Sequence, residues 1–403
     1  MFRPRPRLVL VALTLGVLQG VVPLAREQKP RTDVLKVPEG SARLPAEFME
    51  LLRTHPYAFF RFVNRPWASR VCDAFGRDRD ALVRVRLHGD AHIEQYAFTD
   101  TAYGLDDFDD TAEGPAVIDL VRFIGSIRVA ARDRGWTDQI DVITDEFLRG
   151  YQRGLNDPTF RSDQPGFVTR LRQQRQVRTQ AEFLSWAEGL MTPVPADIER
   201  ATRKGLQLLA ARAGTGVSPM PPGYFVVKRV GALTMGVGSR RLPKLLVRVE
   251  GPSTAAADDV ILEEKEPAAN LEGLECLGLP AQSPAARVVM GAQRVGRLDH
   301  EVLTLVPAPI QGPTELRHWW IHDWAPSYSE VEIALLESPA ELIELAQDAG
   351  VQLGSSCLPS LGASAFERRR RVSHSIVLLD SRIRDVARRL TDEMYVAWKK
   401  FGN

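Results

Sequence analysis

The chain has 403 residues, 44% of them hydrophobic and 26% charged. That balance belongs to a packed globule of two or three domains, or one large two-lobed one, and excludes a disordered or collagen-like chain. Lys+Arg number 52 against 51 Asp+Glu, so no global field draws the protein to nucleic acid or to an anionic membrane.

Met1–Arg7 carries Arg3, Arg5 and Arg7, Leu8–Val22 is almost wholly apolar, and Pro23-Leu24-Ala25 precedes a charged stretch. Over residues 1–25 this is the pattern of a secretory signal. Leu8–Ala25 falls slightly short of the ~20 residues of a spanning helix, so a cleaved signal and an N-terminal membrane anchor both stay open. An Arg-rich N-terminus stays inside. The body is therefore expected outside the cytoplasm, periplasmic or anchored, unless the start codon is mis-assigned and the protein is cytoplasmic. The three cysteines, Cys72, Cys276 and Cys357, form no C-x-x-C pair, which leaves a zinc ribbon or disulfide scaffold unsupported.

Residues 26–45 are rich in charge and proline and read as a linker. Phe48–Val63 predicts a helix that breaks at Pro56 into a buried turn. Leu82–Leu87 alternates as a strand, Asp106–Asp110 is an acidic loop, and Ile118–Arg132, Asp138–Leu155, Glu182–Met191 and Ile198–Ala213 have helical spacing. Residues 46–215 thus form a helical block. Character changes over 216–329: Tyr224–Val230, Leu245–Glu250, Val260–Glu264, Val302–Val306 and Trp319–Trp324 are β-prone, with a helix over Ala285–Val295. Residues 330–403 return to helix, over Glu330–Leu353 and Ser375–Phe401. The run Arg368–Arg371 reads as a solvated helix face.

Chemistry is densest in His88-Gly89-Asp90-Ala91-His92-Ile93-Glu94-Gln95 and Leu105-Asp106-Asp107-Phe108-Asp109-Asp110. Two acidic loops at the ends of neighbouring strands can converge on Mg²⁺, which wants oxygen ligands and completes its shell with phosphate. An Asp after a strand and beside a Gly is placed to take a proton from a hydroxyl. Plain surface acids are the simpler alternative for Asp106–Asp110. His88, Asp90 and His92 also alternate; on a continued strand they would share a face, as in the 2-His-1-carboxylate set of a metal-dependent oxygenase or hydrolase.

Gly236-Val237-Gly238-Ser239 lies between two predicted strands. Glycines there let backbone N–H groups approach phosphate, although a hairpin turn has the same signature. Lys265 ends the third strand. A loop between the first two strands and a Lys on the third is the arrangement kinases hold over ATP phosphates. Trp319, Trp320 and Trp324 suit either an adenine pocket or packing. His318 and His322 flank this aromatic strand rather than forming a ligand pair.

Together these segments resemble a kinase-type phosphotransferase. His88–Gln95 is similar to the H-G-D-x-H-x-x-N loop of the aminoglycoside and choline kinase group, and Leu105–Leu120 to that group's I-D-F-D-D…G-P…D-L segment. The closer resemblance is to an uncharacterised bacterial family, domain of unknown function 2252. Its S-P-F-A-F-x-R-G segment is echoed by His55–Arg61 and its N-D-F-D-E-T by Asp106–Thr111. Its G-V-G-S-x-G followed by a strand ending K-E-A is echoed by Gly236–Ser239 and Lys265-Glu266-Pro267. The likeness runs from about residue 46 to the C-terminus.

The resemblance implies an α+β, two-lobed, protein-kinase-like fold in circularly permuted order, because the catalytic-type loop precedes the glycine loop. The helix–sheet–helix order agrees with this. The resemblance implies ATP and Mg²⁺ as cofactors and a small-molecule hydroxyl as acceptor. It implies Asp90 as base, with His88 and Asp119 bracing its loop, and Asp107, Asp109 and Gln95 at the metal. Gly236, Gly238 and Ser239 would cover the phosphates and Lys265 would hold them, with Glu272 or Glu275 as its partner. Gln95 stands where the group has Asn, and Arg241 where it has the third glycine. These two departures and the export signal favour an alternative, an exported pseudokinase-type module that binds a ligand or protein without turnover.

Overall fold

The computed structural model of the protein describes residues 35, 45–76, 82–213, 224–234, 242–268, 283–310, 317–358 and 362–402. The segment expected to be an N-terminal signal, the expected glycine loop at Gly236–Ser239 with Arg241, and Glu272 and Glu275 lie outside them. Residues Val34–Asn403 form one compact unit, a mixed α+β assembly of helices and several small antiparallel sheets.

Three helices, α1 (Ala46–Thr54), α2 (Pro56–Phe62) and α3 (Asn64–Ala74), lead into strand β1 (Arg84–Leu87), then β2 (Tyr96–Phe98), β3 (Tyr103–Leu105) and β4 (Ala112–Pro115). Five helices follow: α4 (Val117–Asp133), α5 (Ile140–Asn156), α6 (Gly166–Gln174), α7 (Gln180–Gly189) and α8 (Ala196–Ala213). Next come β5 (Val227–Ala232), β6 (Lys244–Val249), β7 (Val260–Lys265), α9 (Pro284–Val295), β8 (Leu303–Pro307), β9 (His318–Asp323) and β10 (Ser329–Glu330). The chain closes with α10 (Pro339–Ser356) and α11 (Ala363–Gly402). Strand β1 pairs with β4, β10-β2-β3 form a second small sheet, and β5-β6-β7-β9-β8 form the largest.

Four local expectations are corrected. Pro56 opens α2 at its first turn, where a missing N–H costs nothing, instead of leading into a turn. Tyr224 and Phe225 are a buried turn, and the strand starts at Val227. The helix expected from Glu330 begins only at Pro339, where Ser338 Oγ caps it by accepting from the Glu341 N–H; Ser329–Glu330 pair with β2 instead. The arginine run is not wholly solvated. Arg369 is buried and donates to the carbonyls of Leu155, Gly354, Ser355 and Leu358, satisfying the C-terminal ends of α5 and α10. In addition, Cys72 is disulfide-bonded, while Cys357 is a free, buried thiol.

Helices α5 and α10 make the tightest pairing. A Cβ on Gly150 or Gly154 would collide with the Gln347 or Val351 carbonyl oxygen, and one on Gly350 or Gly354 with that of Phe147 or Tyr151. Glycine at four-residue spacing on both helices lets the backbones touch. This contact fixes α10, whose Gln352 donates to the carbonyls of Leu105 and Val295 and accepts from the Leu105 N–H at 2.7 Å. Leu105 is the residue from which the acidic loop departs. Substituting Gly354→Val should cost about 1–3 kcal/mol or more through overpacking, read as a lowered denaturant midpoint.

In β7 the side chains alternate. Ile261, Glu263 and Lys265 share one face; Leu262 and Glu264 share the other. Glu264 is fully buried beside the Thr202 hydroxyl. Burial pushes its carboxyl up to about 8, so it stays protonated at neutral pH. Because the folded value lies above the unfolded one, the associated stability is full below about pH 4.5 and is lost as pH rises through about 8. Glu264→Gln should flatten the fall of melting temperature across that window.

Candidate functional site

The site begins where β1 ends. After Leu87 the chain turns at Gly89, whose φ is 86° and where a Cβ would strike the Asp110 carbonyl. This is why His88, Asp90 and His92 do not continue a strand. The turn is held from below by α4: the Asp119 carboxylate accepts the His88 N–H at 2.7 Å and the Gly89 N–H at 2.9 Å. His88 Nε2 donates to the Asp106 carbonyl at 2.9 Å, and Asn64 Nδ2 donates to both the Gly89 carbonyl and Asp110 Oδ2. The two loops read from the sequence are thus clamped together. Gly89 and Asp119 act through backbone geometry, and His88 is a brace.

Asp90 is 8% exposed. Its Oδ1 accepts from Arg122 Nε at 2.9 Å, and the same guanidinium donates to the Phe60 carbonyl and lies 3.7 Å over the Phe60 ring. Burial pushes the Asp90 carboxyl up to about 7, with Arg122 opposing. His92 is fully buried, with both ring nitrogens lacking hydrogen bonds and Nε2 at 3.8 Å from Asp90 Oδ2; burial holds its pKa well below the usual histidine range. Among the described residues no three metal-ligating side chains group together. The His88–Asp90–His92 set therefore loses its geometric basis: His88 serves Asp106 and Asp90 serves Arg122.

The acidic loop meets the large sheet. Asp107 has φ 59°, which swings it toward β7. Lys265 Nζ lies 2.8 Å from Asp109 Oδ2 and 3.8 Å from Asp107 Oδ1. Burial works against the ammonium, and Asp109, Asp107 and Glu263 outweigh it, so the Lys265 pKa is raised. Burial and the neighbouring Asp107 charge raise Asp109; Lys265 and Lys244 overcome burial and lower Asp107. Asp107 Oδ1 and Asp109 Oδ1 are buried and carry no hydrogen bond. Such a pair suits a hard cation that takes one or two carboxylates and fills the rest of its shell with phosphate and water. Gln95 is buried, and its backbone carbonyl accepts the Asp106 N–H at 2.7 Å.

Asp106, Asp107, Lys244, Lys265, Trp320 and Tyr328 are among the residues lining one cleft, about 1400 Å³ with the open solvent at its mouth included. Trp324, Glu263, His322, His300 and Arg61 line it too. Asp90, Asp109 and Gln95 are not among its lining residues. Trp319 lies on the opposite face of β9, in the core with Leu245 and Ile321, so of the three tryptophans only Trp320 and Trp324 reach the cleft. Helix α9 has no acidic residue among its described positions; the acids beside Lys265 come from the loop instead.

Several site residues went unread in the sequence. Lys244 sits opposite Lys265 in the β6–β7 register, and burial lowers its pKa. Glu263 shares the Lys265 face two residues earlier. Arg122 stands in the buried stretch of α4 three residues after Asp119, a spacing that marks one helix face. Replacing Arg122 by Leu leaves Asp90 buried without its partner and should destabilise the protein by about 3–5 kcal/mol, measured by urea unfolding at pH 8, with a smaller loss at pH 5 where the carboxyl is protonated.

The family model described as an uncharacterized protein conserved in bacteria, DUF2252, matches residues 43–206. No curated protein and no solved structure matches the chain. The matched segment holds Asn64, the Asp90 turn, the Asp106–Asp110 loop and α4, whereas Lys244, Glu263 and Lys265 lie beyond it. Over residues 43–206, which carry the clamped pair of loops, the chain is similar to the DUF2252 family.

Proposed function

We propose that the protein is a two-lobed, kinase-like phosphotransferase in permuted order, moving the γ-phosphoryl group of ATP to a hydroxyl of a small molecule. One observation carries this reading: Lys265, from the sheet, meets Asp109 and Asp107, from a loop more than a hundred residues earlier, and Lys265 and Asp107 line one cleft. Lys265 and Lys244 together give two ammonium groups for phosphate oxygens. Asp107 and Asp109 would hold Mg²⁺, which neutralises charge on the phosphates when bound. Asp90, with its carboxyl near 7, has the proton affinity of a general base at neutral pH. Positioning and charge neutralisation supply most of the rate in such chemistry.

A second reading has its own support. Asp90 is buried, committed to Arg122 and absent from the cleft lining, as suits a cleft that binds without turnover. Export over the N-terminal segment would point the same way, since ATP is scarce outside the cytoplasm, and the disulfide at Cys72 suits an oxidising compartment.

The two readings separate by experiment. Thermal stabilisation by ATP with Mg²⁺, abolished in Lys265→Ala, is expected under both. Under the first, Asp90→Asn lowers ATP turnover about 10²–10⁴-fold, and the wild-type rate rises with pH and levels off above about 7, because only the deprotonated carboxylate accepts the hydroxyl proton. Stabilisation without turnover selects the second reading; absence of both removes the nucleotide from either.

A further inference from the structure

The wall of the cleft formed by β7 and β9 carries charge where a plain slot for a flat ring would be apolar. Glu263 is 6% exposed and lines the cleft. Trp324 Nε1 donates to Oε2 at 2.8 Å, and His322 Nε2 lies 3.3 Å from the same oxygen, an ion pair when the ring is protonated on both nitrogens. His322 is itself oriented, with Nδ1 donating to the Asp323 carbonyl at 3.1 Å. Among the described residues no hydrogen bond falls on Glu263 Oε1. Burial opposes the Glu263 charge, and Lys265, His322 and Lys244 outweigh it, which keeps the carboxyl ionised. An ionised carboxylate oxygen only accepts, so Oε1 is a fixed, unused acceptor in the wall.

The same wall is aromatic, with Lys265 Nζ 4.7 Å from the centre of the Trp320 ring, and it holds an unused donor. The rings of Trp320 and His322 stack at 4.8 Å with 14° between planes, and those of Trp186 and Trp324 lie 5.8 Å apart. Trp320 is 5% exposed, and its Nε1–H has no hydrogen-bond partner. A buried donor left without a partner costs free energy that a ligand acceptor recovers. Flat faces with one acceptor and one donor complement a heterocycle whose edge donates one hydrogen bond and accepts another.

We propose that Glu263 Oε1 reads a donor on the edge of the nucleobase, with Trp320 Nε1 satisfying a ring acceptor, so that the cleft rejects a purine whose edge has no N–H. The proposal rests on the nucleotide reading above and adds its specificity determinant. Chemistry also sets what a substitution does. In Glu263→Gln the carbonyl oxygen takes the Trp324 donor, and the amide NH₂ then faces the cleft, turning an acceptor into a donor.

The test is titration calorimetry with Mg²⁺ and three probes: ATP, GTP and purine riboside triphosphate, which has no donor on its base edge. The better of ATP and GTP is expected to bind about ten- to a hundredfold more tightly than purine riboside triphosphate, the range of a hydrogen bond to a charged group. In Glu263→Gln that ratio should collapse toward one or invert. Equal affinity of the three probes for the wild type overturns the edge-reading role while leaving nucleotide binding intact. Binding of none overturns the nucleotide reading and this inference with it. An unchanged ratio in a folded Glu263→Gln protein also overturns the proposal; should that variant fail to fold, the wild-type comparison decides.

Discussion

A buried ammonium is tolerated only beside buried carboxylates, and the cleft is organised by that requirement. Lys265 is nearly inaccessible, as is Lys244 across the strand pair. Two such cations side by side repel each other and have lost much of their hydration. Glu263 comes from the same face of the sheet, but Asp107 and Asp109 must be brought from the far side of the chain. The acidic loop is therefore bound to the sheet by charge, and its backbone at Asp107 adopts a left-handed conformation to do it. Such an arrangement is weak evidence for stability and good evidence for a site, since anionic ligand groups can share the same cations.

The rest of the framework serves to hold that loop still. Asp119 fixes the turn before Asp90, Asn64 ties this turn to Asp110, and Thr111 Oγ1 donates to the Leu87 carbonyl at 2.7 Å. Helix α9 closes on it from the sheet side: Arg287 donates to the carbonyls of Asp109, Thr111 and Ala268. A Cβ at Gly291 would collide with the Thr111 side chain. From the helical side, Gln352 ties Leu105 to Val295. The reach of Gln352 depends on where the glycine-lined contact sets α10 against α5. A packing detail in the helical core is thereby connected to the position of carboxylates in the cleft.

Carboxylates of the same residue type are held in different states by their surroundings. Asp90 is buried beside one guanidinium, and burial wins, leaving it near neutral pH in its affinity for protons. Asp107 faces two lysines, and the cations win. Glu264 faces apolar side chains and stays protonated, while Glu263, one residue earlier on the opposite face, stays charged. Different surroundings thus drive groups of one chemical type far apart in proton affinity.

Much of this was legible in the residues alone. Helical and alternating periodicities located most elements, because one-sided burial imposes them on any sequence. The chemistry of His88–Gln95 and Asp106–Asp110 stood out because acids and glycines in such density are rarely needed for packing. Pro56, Phe225 and the segment after Glu330 were misread, since a helix start, a buried turn and an edge-strand pairing depend on neighbours that local pattern does not contain. Lys244, Arg122 and Glu263 were unremarkable in sequence; an isolated charge on a strand or helix has no period. Local sequence determined where the elements form and which loops are rich in chemistry, because backbone preference and one-sided burial act over a few residues. Only tertiary structure decided which charges face one another, because the field that a lysine or carboxylate experiences comes from groups brought near by folding and not by the order of the chain.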